Sequence, residues 1–221
     1  MTRAAALALL LAGCASLAHA HDSWFERGDG GSLALVTGTR YPRADLVLPP
    51  ESVEARACEG NACWAELHEF DVSLDPQIVD VYFREAQPPQ SVRERWKALR
   101  AQGIDWHERY RKFMRVQLAP GAAPGPAGLD LEIVPRGDTS PATGSKARFA
   151  LFAQGRPVND QPVELVSERN PLGLWSRTDA NGEVEWTLPF SGEWLVRTIV
   201  IEPDGDTAWR SRFATLVFDA R

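Results

Sequence analysis

The chain has 221 residues, a formal net charge of −6, 44% hydrophobic and 24% charged residues, a balance that excludes a disordered polymer. The negative charge argues against a basic nucleic-acid-binding surface. After residue 20 no run is long and apolar enough for a membrane helix, and the roughly 200 residues that follow suit one large all-β domain or two small ones.

Residues 1–20 read as an export signal. Arg3 is a minimal basic start, Ala4–Ala12 a short apolar stretch, and Ala18-His19-Ala20 a small-x-small cleavage site. A cut after Ala20 makes His21 the N-terminus of a periplasmic protein. A second reading competes: Leu11-Ala12-Gly13-Cys14 matches a bacterial lipobox. Cleavage there would leave a lipid-modified Cys14 and an outer-membrane lipoprotein, and membrane contact follows only from that anchor. Past the signal, Cys58 and Cys63 flank Glu59-Gly60-Asn61-Ala62. Gly-Asn is turn chemistry, so the sulfurs face each other across a hairpin, and an oxidising compartment makes a disulfide the default. Two thiols without a nearby His make a poor zinc site.

The next elements fall into three zones. In 21–87, short apolar runs with turn signals predict strands, among them Leu33–Val36, Leu46–Leu48, Cys63–Leu67, Phe70–Leu74 and Ile78–Phe83. In 91–115 the period changes. Ser91-Val-Arg-Glu94 and Asp105-Trp-His-Glu108 read as capping boxes, each opening a short helix, with Trp96 and Leu99 on one helical face and Trp106, Tyr110 and Phe113 on another. Residues 119–128 form a Pro/Gly linker. Seven strand candidates then follow in 129–219: Leu129–Val134, Ala147–Phe152, Pro162–Val166, a run near Leu174, Glu183–Leu188, Trp194–Ile201 and Phe213–Phe218. Their spacing predicts a β-sandwich. The expected architecture is mainly β: an N-terminal β-rich region over 21–118 with helical segment 91–115, then an Ig-like β-sandwich over 129–221.

Several segments carry a resemblance. His21-Asp-Ser-Trp24, Glu108-Arg-Tyr110 with Lys112 and Arg115, Gly128-Leu-Asp-Leu-Glu-Ile-Val-Pro135, Gly155-Arg-Pro-Val158, Thr178-Asp-Ala-Asn-Gly182, Gly192-Glu-Trp-Leu195 and Phe213-Ala-Thr-Leu-Val-Phe218 occur in this order. Together they resemble the bacterial domain-of-unknown-function family 4198, exported proteins formerly described as NikM-like nickel-uptake components. The resemblance implies an exported β-rich protein with an Ig-like C-terminal half and a link to metal uptake.

Three histidines are candidate ligands. A free α-amine on His21 beside its own imidazole can chelate one metal ion, and with another imidazole gives a nitrogen set suited to Cu(II) or Ni(II). Period-2 alternation puts His68 inward with Trp64, Phe70, Val72 and Leu74. His107 sits in the first turn of the second predicted helix, where the dipole favours the neutral ring. Each has a plainer reading: a frayed terminus, a hydrogen-bonded core-edge histidine, and a solvent-facing ring. Asp22 and Glu108 are candidates for an outer shell. On a helix, Glu108 and Lys112 would pair at i,i+4 with Arg115 further along the ridge, as an outer shell or as an ion-pair ladder. Trp186 and Trp194 read as core, while Trp24, Trp175 and Trp209 are candidates for exposure. There is no phosphate loop, nucleophile elbow or HExxH.

These features point to a non-catalytic periplasmic protein that binds Ni(II), Co(II) or Cu(II) through His21 with His68 or His107, partnered by metal-uptake membrane components. The alternative is an interaction module, periplasmic or surface-anchored, with an Ig-like domain and no metal.

Overall fold

The structure is a computed structural model and describes residues 21–221; the expected export signal, with Cys14, lies outside the described residues. The chain begins with strand β1 (Asp22–Arg27), followed by β2 (Leu33–Gly38), β3 (Leu46–Val47), β4 (Val53–Glu59), β5 (Ala62–Leu67) and β6 (Phe70–Leu74). Helices α1 (Pro76–Ala86) and α2 (Gln90–Ala101) come next, then the long strand β7 (Trp106–Gln117). The C-terminal half supplies β8 (Leu131–Arg136), β9 (Lys146–Ala153), β10 (Arg156–Pro157), β11 (Pro162–Ser167), β12 (Asn170–Arg177), β13 (Glu183–Thr187), β14 (Gly192–Asp204) and β15 (Ala208–Ala220). The seven strands expected in 129–219 are all present, and the protein is mainly β.

One sheet organises the molecule. Its strands run β12-β11-β14-β15-β7-β5-β4, with β6 also paired to β7. Strand β7 lies parallel to β15, from His107 beside Ala208 to Val116 beside Val217. The halves before and after 119–128 therefore share a sheet, and the Pro/Gly segment crosses from β7 of that sheet to β8 of a second one. It is also tied down. The side-chain amide of Asn61 donates to Ala119 O at 2.9 Å, the Arg115 guanidinium donates to Pro124 O and Gly125 O at 3.1 and 3.2 Å, and the Ala127 and Gly128 amides donate to Glu132.

Both faces of this sheet are covered. One packs on the sheet of β10, β9, β13 and β8, enclosing Leu131, Phe149, Leu165, Val196, Leu216 and Phe218. The opposite face takes α1 and α2 at one end, over Trp106, Tyr110, Ile199, Trp209 and Phe213, and the β1–β2 hairpin at the other, over Ala65, Met114, Leu195 and Val217. The expected disulfide joins Cys58 to Cys63 across the β4–β5 turn.

Two elements differ from expectation. Ile78–Phe83 is part of α1 rather than a strand. The Asp75 carboxylate accepts from Gln77 N at 2.7 Å, Pro76 follows the cap, and Val79, Tyr82, Phe83 and Ala86 form the buried stripe. Conversely, 106–115 is strand, not helix. The residues Trp106, Glu108, Tyr110, Lys112, Met114 and Val116 face one way. The other expected helix is α2, with Val92, Trp96 and Leu99 buried, but it opens at Gln90 behind Pro89 and no side chain caps it, so the Ser91 capping box does not form.

Candidate functional site

The start of β1 is held by side chains from the central sheet. Lys112 of β7 donates to the His21 carbonyl at 2.6 Å and lies 3.5 Å from Ser23 Oγ. Arg197 of β14 pairs with the Asp22 carboxylate, and Thr215 of β15 donates to Ser23 O at 2.6 Å. From the other side, Thr37 of β2 donates to Asp22 O at 2.8 Å. Asp22 and Ser23 are docked strand, and the His21 carbonyl is held beside them.

The docking rests on a buried charge network. Arg197 Nε lies 3.1 Å from the Glu164 carboxylate, which also pairs with Arg40 at 2.8 Å, and Arg197 donates to Glu85 O at 3.0 Å. Burial holds the Glu85 carboxyl above the usual range. Gly173 on β12 makes room for Glu164: a Cβ there would fall 2.1 Å from Glu164 Oε1, and its φ is +72°. Lys112 has no carboxylate in hydrogen-bond contact; its ammonium sits 5.6 and 5.5 Å from the ring centres of Tyr110 and Phe213. Burial brings its pKa down to about 8, against the opposing pull of Asp22.

The His21 ring lies against the loop after β2. Gly38 lets that loop close, since a Cβ would stand 2.3 Å from Arg43 O. His21 Nε2 is 3.0 Å from Thr39 Oγ1, and Nδ1 is 4.0 Å from Asp45 Oδ2. The same Asp45 oxygen accepts the Thr39 backbone amide at 2.8 Å and the Thr39 hydroxyl at 3.1 Å. Where the hydroxyl gives its hydrogen to Asp45, it accepts from a protonated Nε2, and the Nδ1 lone pair is free. Burial lowers the His21 pKa, ahead of the opposing Asp45 charge, and favours the neutral ring. Thr39 and Asp45 also line a cleft of about 690 Å³, walled by Tyr41, Pro42, Glu168 and Pro171.

The other predicted site residues lie elsewhere. His68 is exposed between β5 and β6: β5 turns Cys63, Ala65 and Leu67 inward, the reverse of the expectation, while Phe70, Val72 and Leu74 on β6 face the core as expected. Its Nδ1 lies 3.6 Å from Glu54. His107 is exposed on β7, with Nδ1 3.3 Å from Ser73 Oγ and Nε2 3.5 Å from Asp71. The three histidines thus have three separate carboxylates, and no group of three or more His, Cys, Asp or Glu poised for a metal occurs among the described residues. The donors are not brought together as an imidazole set.

Glu108 and Lys112 do not form a helical ion pair. Both point inward along β7 on either side of Tyr110. Glu108 is 2% exposed and accepts from Trp106 Nε1 at 2.6 Å and Tyr82 OH at 3.0 Å. Burial raises its pKa against the donors of Ser211, Trp106 and Tyr82. It faces away from the His107 ring and holds α1 on the sheet. Arg115, on the opposite face, pairs with buried Glu132 at 3.6 Å. Trp24 and Trp209 are buried with Trp186 and Trp194, and Trp175 is the exposed one. Sequence reasoning missed Thr39, Asp45, Glu164 and Arg197. A lone Arg within an apolar strand, at 197, was the one signal available for the network.

No curated protein and no solved structure matches the chain. Residues 43–202, most of the chain and all of it downstream of His21, match the profile of DUF4198, a domain of unknown function, and the chain belongs to that family.

Proposed function

We propose that this is an exported, non-catalytic protein that binds one transition-metal ion, Cu(II), Ni(II) or Co(II), at a mature N-terminus beginning with His21, and serves metal uptake or handling in the periplasm together with membrane components. One observation carries the reading: Thr39 Oγ1 meets the far nitrogen of the His21 ring, Nε2, at 3.0 Å, which leaves Nδ1 as the nitrogen that can close a chelate with the α-amine of the same residue. A neutral ring is the form a metal takes, and the partner that orients a ligating imidazole through its other nitrogen tunes the site. The remaining positions fall to Asp45 and solvent. An amine, an imidazole and a carboxylate suit Cu(II) and Ni(II) among the first-row ions.

The test is Cu(II) titration, followed by calorimetry and electron paramagnetic resonance, of protein that starts at His21. One equivalent with nitrogen hyperfine structure is expected. An added Ala before His21 turns the amine into an amide, and affinity then falls. Thr39→Val frees the ring to take the other tautomer and weakens binding by about tenfold. Equal affinity with and without the added Ala overturns the reading.

A further inference from the structure

We infer that Lys112 is the positioning residue of the N-terminal site: its ammonium clamps the His21 carbonyl and so holds the backbone nitrogen and imidazole of that residue in one arrangement. The inference rests on the metal-binding reading above for its purpose, and on geometry alone for the clamp.

A buried lysine normally finds a carboxylate, because an isolated ammonium is costly to desolvate. Lys112 is 3% exposed, yet its hydrogen-bond contacts are the His21 carbonyl at 2.6 Å and Ser23 Oγ at 3.5 Å. Asp22, the nearby acid, is engaged by Arg197. Its ammonium sits 5.6 and 5.5 Å from the ring centres of Tyr110 and Phe213, which flank the place it occupies. A methionine is of similar length and buries no charge, so stability alone does not call for lysine there. The atom it reaches is the carbonyl of the one residue whose own nitrogen and ring would chelate. Anchoring this carbonyl fixes the peptide plane after His21, and Thr39 holds the far end of the ring at 3.0 Å, so rotation about the Cα–C bond between them is restricted. Two clamps at opposite ends leave a chelate little freedom to lose on binding metal. Arg197 and Thr215 hold Asp22 and Ser23, so without Lys112 the first residue alone comes loose.

The experiment compares Lys112→Met with the unaltered protein, both beginning at His21. Near-UV circular dichroism and thermal unfolding check the fold, and Lys112→Arg is the conservative variant. Two readouts separate the clamp from the metal reading. The first is the rate at which an aminopeptidase releases His21 without metal. A docked carbonyl resists, and Lys112→Met should speed release at least tenfold while leaving cleavage elsewhere unchanged. The second is Cu(II) affinity, expected to fall about tenfold with broadened hyperfine lines and to be partly restored in Lys112→Arg. Unchanged release of His21 in a folded Lys112→Met overturns the clamp whatever the metal does. Faster release together with no Cu(II) binding by the unaltered protein leaves the clamp standing, but overturns both the metal reading and the positioning role built on it. Faster release with unchanged Cu(II) affinity overturns the positioning role alone.

Discussion

On one face of the central sheet, β11, β14 and β15 present Val163, Leu165, Val196, Ala214 and Leu216 to the smaller sheet. On the other face the same three strands present Glu164, Arg197 and Thr215, with Lys112 beside them on β7. Both faces are buried, yet they hold different things. The apolar face closes a sandwich by non-directional burial, which needs volume and pattern but tolerates exchange of one aliphatic for another. The charged face fastens three residues, His21 to Ser23, through bonds of fixed direction. A core can be made without such a network, and buried ions are an expensive way to gain stability. What they supply here is one geometry at one end of one strand.

The comparison breaks most sharply at Arg197. Arg197→Met leaves Asp22 and Glu164 as buried carboxylates and should cost about 3–5 kcal/mol in urea unfolding. Leu216→Ala, on the apolar face of the neighbouring strand, should cost about 3 kcal/mol through its cavity. The two losses are of similar size but should differ in kind. The Arg197 loss should be only partly recovered in Arg197→Lys, which lacks the fork that meets both carboxylates, whereas Leu216→Met should recover most of the cavity loss. Full recovery in Arg197→Lys would show that charge alone, not directed bonding, governs that face.

The same contrast explains what the sequence revealed. β13 was readable from strict apolar alternation, and β8, β9, β11, β14 and β15 as short runs rich in aliphatic and aromatic residues bounded by turn signals. In β7 the alternation is present but disguised. Trp106, Tyr110, Met114 and Val116 face inward together with Glu108 and Lys112, and counting charged residues as outward turns a period of two into an apparent helical period. The error ran the other way at α1, where Ile78, Val79, Val81, Tyr82 and Phe83 have the composition of a strand. There the Asp75-Pro76 start and the 79/82/83/86 spacing carried the helix. The cleavage pattern is what singled out His21 in the sequence. The partners of His21 were not readable, because Lys112 is 91 residues away and Thr39 is 18, and nothing local marks a residue whose role is to reach another strand.

Lys112 gives the next test, through pH. Its folded pKa of about 8 lies below the ordinary lysine value of 10.5. Between those values the unfolded chain holds more protons, so stability rises with pH there. Up to about pH 10 the gain should reach about 2 kcal/mol. Beyond that, Tyr41, Tyr82 and Tyr110, all held above the ordinary value by burial, reverse the slope. Lys112→Met should abolish the rise and leave the tyrosine limb intact. A rise that survives in the variant would mean that another group carries it.

Glu108 should give the smallest effect and sharpen the comparison most, because it is a carboxyl group on the polar face that fastens no part of the segment His21 to Ser23. Its folded pKa is raised by burial. The folded state therefore holds the extra proton, and stability falls as pH climbs from the ordinary glutamate value through the folded one. Glu108→Gln removes that fall. The amide oxygen can still accept from Trp106 Nε1, and the amide hydrogens can donate to the Tyr82 or Ser211 hydroxyls once these rotate. At neutral pH the variant should unfold within about 1 kcal/mol of the unaltered protein, with a flatter acid limb. Release of His21 by aminopeptidase should not change, since the clamp on that residue is Lys112. Glu108 meets Trp106 and Tyr82 under α1, whereas Lys112, four residues along the same strand, meets β1. If Glu108→Gln loosened His21 as well, the polar face would act as one coupled network, and the clamp could not be assigned to a single side chain.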